Sequence, residues 1–215
     1  RRNANIRRIK RRDFMSVVVA IVDKENDRVI MGADSQVTYG STKQTLKNEN
    51  NYKIFRSRNN VLFGIVGTLR GSNILKCEED LVDELSALKG KIDFKYVVTK
   101  LVPKIFKIMK DNKLLIEEDN KETYLPIDIL FAYKGTLFEI SGDGSVIQIE
   151  DYIAIGSGYK QSIGYLNLNK PNNKNGHYNI VRNAIKSSCE SDLFVNTPII
   201  MTSTERQEFD IHEEG

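Results

Sequence analysis

A chain of 215 residues, 40% hydrophobic and 28% charged, is long enough to bury a core as one domain, and none of its apolar runs approaches the ~20 residues that a membrane-spanning helix needs. Its formal charge of +3 is concentrated in Arg1, Arg2, Arg7, Arg8, Lys10, Arg11 and Arg12, leaving an acidic remainder. That arm carries no aromatic residue before Phe14 and is followed by no basic stripe, which argues against nucleic-acid binding.

The same arm lacks the apolar stretch and small-residue cleavage site of a secretory signal. Cys77 and Cys189 do not form a disulfide framework, so a reducing, cytoplasmic setting is expected. Residues 1–15 read as a basic leader outside the fold, and 16–215 as the folded domain. Two readings of the leader stand: Arg11 and Arg12 are translated from a purine-rich ribosome-binding site before a true start at Met15, or residues 1–15 are a genuine arm or propeptide. Under the first, Ser16 is small enough to follow a removed initiator methionine and to carry a free α-amine; if residues 1–15 stay attached, its nitrogen is an amide and cannot take a proton.

Ser16 to Val22 is rich in β-branched residues, a charged turn follows over residues 23–27, and Arg28 to Gly32 is apolar again, which predicts an opening hairpin. Tyr39 to Asn51 reads as a polar loop. Tyr52 to Arg56 and Val61 to Val66 read as strands. From Ser72, Ile74, Leu75, Leu81, Val82, Leu85 and Leu88 recur at helical spacing until Gly90. A second helix is expected from Phe94 to Met109, with an irregularity at Pro103.

Four apolar runs follow, Ile127 to Tyr133, Thr136 to Ser141, Ser145 to Ile149 and Tyr152 to Ile155, which read as a meander. Helical spacing returns after Gly156-Ser157-Gly158 and runs to Leu168. A loop spans Asn169 to Gly176, a helix Tyr178 to Cys189, and a last strand Pro198 to Thr202. Strands, two helices, strands, two helices and a strand suit two packed sheets with a helix pair on each outer side, an order that other layered α+β folds share.

The segments Ser16-Val-Val-Val-Ala-Ile-Val, Val29-Ile-Met-Gly-Ala-Asp34-Ser-Gln-Val-Thr38, Lys53-Ile-Phe and Gly64-Ile-Val-Gly67 resemble the opening of proteasome β subunits and of the peptidase of the bacterial HslUV-type protease. Gly142-Asp-Gly-Ser-Val, Ile155-Gly-Ser157-Gly and Ala184-Ile-Lys-Ser-Ser-Cys-Glu-Ser-Asp192 continue the likeness in family order. The resemblance implies an α+β fold, the four-layer αββα sandwich of N-terminal-nucleophile hydrolases. Its nucleophile would be the first residue of the mature chain, usually threonine in the family. Counting back from Asp34 leaves Met15 or Ser16 at that position. Ser16 is chosen, because a two-residue longer hairpin preserves which face each strand residue occupies and methionine has no hydroxyl.

A serine hydroxyl needs a base, and a terminal amine of pKa about 7.7–8.0 accepts its proton near neutrality. The resemblance places Lys53 beside it as a fixed cation paired with Asp34, and the Gly67 N–H as oxyanion donor. Ser157 and Asp192 fall at the positions supporting the amine, whereas the serine expected three residues after Asp192 is replaced by Val195 or Asn196. Thr38 and Leu69 fall where the family binds substrate backbone, and Ile65 where the first specificity pocket is shaped. Each also has a structural reading, such as a strand end for Asp34, a solvated charge for Lys53 and a helix cap for Ser157.

The implied protein is a peptidase subunit in a homo-oligomeric ring, acting on peptides or unfolded proteins and supplied by a separate ATP-dependent unfoldase. A catalytically silent proteasome-like scaffold and a non-proteolytic amidase of the same wider group are the alternatives. No cofactor is expected. His177 and His212 lack partners at metal-ligand spacing and are expected on the surface, and no phosphate-cradling glycine loop occurs.

Overall fold

In the computed structural model, which describes residues 15–57, 61–78, 81, 92–117, 122–169 and 176–213, β1 (Val17–Asp23) pairs antiparallel with β2 (Arg28–Ala33), Val18 opposite Ala33 and Asp23 opposite Arg28. Val17, Val19 and Ile21 point to one face of this sheet, Val18 and Ala20 to the other. Both faces are covered, which is why β1 reads as a continuous apolar run and not as an alternation.

Along the chain follow β3 (Gln36–Tyr39), β4 (Thr42–Thr45), β5 (Ile54–Arg56), β6 (Leu62–Gly67) and helix α1 (Leu69–Cys77). Helix α2 spans residues 94–111. Then come β7 (Ile116–Glu117), β8 (Thr123–Tyr124), β9 (Ile127–Tyr133), β10 (Thr136–Ile140), β11 (Val146–Ile149), β12 (Tyr152–Gly156), α3 (Tyr159–Leu168), α4 (His177–Cys189), β13 (Ile199–Ser203) and β14 (Asp210–His212). One sheet has the order β12-β1-β2-β13-β14 and the other β11-β10-β9-β6-β5.

Three apolar layers hold these elements. Val18, Met31, Ile54, Leu62 and Leu130 fill the space between the sheets. Phe63, Ile65, Phe131 and Phe138 lie under α1 and α2 on one outer face, while Val19, Ile30 and Met201 lie under α3 and α4 on the other. The result is the four-layer αββα sandwich. Among the described residues, no helix is long and apolar enough to cross a membrane.

Several expectations are corrected. The four strands from Ile127 do not form one meander: β9, β10 and β11 pair in succession, but β12 leaves them to pair with β1 in the other sheet. Local alternation specifies a strand without specifying its partner. The segment read as a polar loop over Tyr39 to Asn51 contains β4, paired with β3 as a hairpin whose residues 42–45 are all exposed and so carry no apolar period. Strands β7, β8 and β14 were not anticipated.

The first helix begins at Leu69, capped by Thr68, whose hydroxyl accepts the Gly71 N–H, and it ends at Cys77, because Glu78 is extended; the single helix expected from Ser72 to Gly90 is therefore interrupted there. The expected stop at Gly90 lies outside the described residues. In α2 the irregularity before Pro103 is a π-type turn, Val97–Leu101, in which the Val102 N–H reaches back to the Val97 carbonyl. Proline has no N–H to give and its ring crowds the preceding turn, so a widened turn accommodates it.

Asp23 closes the far end of the first hairpin. It is 1% exposed, accepts hydrogen bonds of 2.8 Å from Asn26 Nδ2 and Arg28 Nε, and lies 3.4 Å from His177 Nδ1. His177 is therefore not a free surface residue: the start of α4 packs it against a buried carboxylate. Burial pushes the Asp23 carboxyl up, but the hydrogen bonds from Asn26 and Arg28 and the charges of His177 and Arg28 outweigh it and hold the group below its ordinary 3.8. The resulting stability is present above 3.8 and is lost as pH falls through the lower native value. Asp23→Asn is expected to lower the Tm at pH 7 and to flatten the acid limb of Tm against pH, and an acid limb identical to that of the parent would exclude this role.

Candidate active site

Ser16 stands immediately before β1 and is 6% exposed. Because β1 and β12 are antiparallel with Val17 opposite Gly156, the chain next to Ser16 is Ser157. Gly156 has φ +96°, and a Cβ there would lie 2.2 Å from the Ser16 carbonyl oxygen, so only glycine lets the backbone turn this close. The Ser16 N–H donates to Ser157 Oγ at 3.3 Å. The Ser16 carbonyl accepts from Ser157 Oγ at 3.4 Å and from the Gly158 N–H at 3.3 Å. The Ser16 hydroxyl donates to the Met15 carbonyl.

Asp34 follows the end of β2, and its carboxylate organises the neighbourhood. Oδ1 accepts the Val17 N–H at 2.9 Å and Lys53 Nζ at 2.7 Å, while Oδ2 accepts the N–H groups of Gln36 at 3.0 Å and Asn196 at 3.4 Å. One oxygen thus ties the lysine to the residue after Ser16. The pair is deeply buried, with side-chain exposures of 9% for Lys53 and 0% for Asp34. Burial lowers the Lys53 pKa, and the Asp34 carboxylate opposes that effect, with smaller contributions from Cys189 and Asp192.

Ser16 with Ser157 and Lys53 with Asp34 thus form a group of two hydrogen-bonded pairs, joined through the bond of Asp34 to the Val17 N–H, the residue after Ser16. Asp192 does not join it by a hydrogen bond: it lies in the turn after α4, where Oδ1 accepts the Phe194 N–H at 2.8 Å, and it reaches the group through its charge on Lys53. Val195, one of the two residues that stand where the resemblance leads one to expect a serine, is 2% exposed and packs in the apolar layer beneath α4.

Gly67 ends β6 with φ +121°, and a Cβ there would lie 2.4 Å from the Pro126 carbonyl oxygen. Gly67→Ala is expected to destabilise the fold by ~2–3 kcal/mol through strain and clash. Denaturant unfolding of this variant checks it, and a change below about 0.5 kcal/mol would exclude the close approach. Leu69 opens α1, Thr38 Oγ1 accepts Gln36 Nε2 at 3.2 Å, and Ile65 is 3% exposed in the layer under α1 and α2.

Sequence reasoning missed Gln36. It is 3% exposed, donates to Asp34 through its N–H, and donates from Nε2 to the Leu193 carbonyl at 2.9 Å, joining β3 to the turn that holds Asp192. A lone glutamine in a short strand gives no local signal of this. Among the described residues, no group of three or more His, Cys, Asp or Glu side chains is placed to hold a metal ion.

A two-sheet sandwich covered by helices on both sides, with a hydroxyl residue at the head of its first strand beside a buried Lys–Asp pair, defines the proteasome type of architecture. No family model matches the chain, but curated relatives do. "ATP-dependent protease subunit HslV" of Borreliella burgdorferi (strain ZS7) is 27% identical over 199 residues, covering 89% of this chain and 97% of the relative. The HslV subunit of Borreliella afzelii is 26% identical over the same shares. Among solved structures, Thiobacillus denitrificans BPH superposes with TM-score 0.69 at 18% identity over 87% of this chain and 96% of its own. Eukaryotic HslV from Trypanosoma brucei gives 0.63 at 18% identity over 87% and 98%. Over most of its length the chain is thus similar in sequence to HslV protease subunits, and in fold to HslV and related proteasome-type structures.

Proposed function

We propose that this chain is the peptidase subunit of an ATP-dependent protease, cleaving peptide bonds with the Ser16 hydroxyl inside a ring of identical subunits and supplied with unfolded protein by a separate ATPase. The observation that carries the reading is the shared Asp34 carboxylate, which binds the backbone next to Ser16 and the Lys53 ammonium through one oxygen. Curated relatives carrying the name of an ATP-dependent protease subunit support it.

The chemistry depends on the Met15–Ser16 bond. While it is intact, the Ser16 nitrogen is an amide and cannot take a proton. Once it is cut, the freed amine removes the hydroxyl proton and Oγ attacks the substrate carbonyl. Lys53 favours the developing negative charge, and Ser157, already at the Ser16 nitrogen, orients the amine. The Gly67 N–H stabilises the oxyanion by about 3 kcal/mol when well placed. The amine then returns its proton to the leaving group, and water releases the acyl chain from Oγ.

A silent scaffold is the second reading, favoured by the stand-in for the third supporting serine, Val195 or Asn196, neither of which offers the amine a hydroxyl. One experiment separates the two. Intact-mass and N-terminal analysis of protein treated with a peptide epoxyketone should find chains beginning at Ser16 that carry one inhibitor each. Chains that keep Met15 and take up no inhibitor would establish the scaffold, and a native mass of a monomer or dimer would remove the ring.

A further inference from the structure

Ser162 and Ser188, on the facing sides of α3 and α4, are both 0% exposed, and the chemistry above uses neither. Their oxygens are 2.8 Å apart. Ser188 Oγ is 2.7 Å from the Gly158 carbonyl, and Ser162 Oγ is 2.8 Å from that of Ala184. Two hydroxyls have only two protons for these three contacts.

The competition for acceptors decides where the protons go. The Ala184 carbonyl already faces the Ser187 hydroxyl at 2.7 Å and, as in any α-helix, the N–H four residues on. Its lone pairs are taken. The Ser162 proton is therefore best used on Ser188 Oγ, whose own proton points to the Gly158 carbonyl. This gives a directed chain from Ser162 through Ser188 to Gly158, in which each bond polarises the next.

Gly158 is the residue after Ser157, and its N–H donates to the Ser16 carbonyl at 3.3 Å. The Ser188 carbonyl in turn accepts the N–H groups of Asp192 at 2.8 Å and Ser191 at 3.2 Å. One residue of α4 thus holds both turns expected to support the terminal amine. There is no slack between them, since a Cβ on Gly158 would lie 2.9 Å from Ser188 Cβ.

We infer that Ser188 is a positioning residue of this site: its hydroxyl, oriented by Ser162, fixes the turn 156–158 so that the Ser157 hydroxyl stays at the Ser16 nitrogen. The inference rests on the peptidase reading for its catalytic consequence, though not for its geometry. The test combines amide hydrogen exchange on the full chain with steady-state kinetics after release of Ser16, for Ser188→Ala, Ser162→Ala and the conservative Ser188→Cys.

Ser188→Ala is expected to speed exchange of the Gly158 amide about tenfold relative to amides inside α3 and α4, and to lower kcat by about 10- to 100-fold with KM within about twofold. It should also shift the pH of half-maximal kcat. Ser162→Ala keeps the bond to Gly158 and should do less, while Ser188→Cys, with a weak donor, should recover part of the loss. Equal loss of thermal stability in both alanine variants, with Gly158 exchange and the kcat pH profile as in the parent, would reduce Ser188 to packing and overturn the inference. If Ser188→Ala does not fold, Ser188→Cys carries the same comparison. If the mature parent hydrolyses nothing, the peptidase reading fails alone, and Gly158 exchange still decides the positioning.

Discussion

Ser16→Ala is expected to reduce peptide hydrolysis on the order of 10⁴-fold or more while leaving fold and assembly intact. Under the proposed mechanism the magnitude follows from deleting a nucleophile for which the remaining groups cannot substitute: Lys53, the Gly67 N–H and the amine would all act on an oxygen that is no longer there. The fold should tolerate the change, because the lost hydroxyl donates only to the Met15 carbonyl and no buried donor loses its acceptor. Stability should stay within about 0.5 kcal/mol. Kinetics with a fluorogenic peptide, alongside native mass and thermal melting, check this. Retained turnover at unchanged mass would move the chemistry elsewhere in the chain, and Ser16→Thr, which keeps a hydroxyl, should keep most of the activity.

The second large effect concerns Asp34. Its carboxylate accepts three backbone N–H groups and the ammonium of Lys53, which is 9% exposed. Asp34→Ala strands that cation with no counter-charge, for which the cost is ~3–5 kcal/mol. Lys53→Met should be milder, because Asp34 keeps its three N–H donors and methionine fills much of the lysine's volume. The expected order of stability is parent, then Lys53→Met, then Asp34→Ala, with hydrolysis lowered about 10²- to 10³-fold or more in both. Chemical denaturation measures the first and peptide kinetics the second. An Asp34→Ala variant as stable as the parent would mean that the pair does not organise the site.

The two predictions draw on different kinds of information. Ser16 could be proposed because motifs resembling the family's occur in order along the chain and because a two-residue change in hairpin length preserves strand facing. Asp34 could be named in the same way, but its backbone partners could not. The Asn196 N–H arrives from 162 residues away, and no local pattern announces such a contact. The same holds for Ser188, which reads as one more polar residue near the end of an amphipathic helix. Only the packing of α4 against α3 turns it toward Gly158.

What the sequence determined by itself is the set of elements whose periodicity a covered face imposes: β1 and β2, β6, β9 and β10, and helices α3 and α4, each bounded by turn residues near the observed ends. What only the tertiary structure decided is partnership. β12 has the same kind of apolar pattern as its predecessors, yet it crosses to the sheet of β1, and that crossing is what sets Ser157 against Ser16. Strand β4 shows no apolar period, because none of its residues needs to be buried. His177 meets Asp23 only when α4 lies across the first hairpin. Hydrophobic period reports how a residue meets water, whereas strand pairing and buried polar contacts depend on distances between segments remote in the chain, which period does not encode.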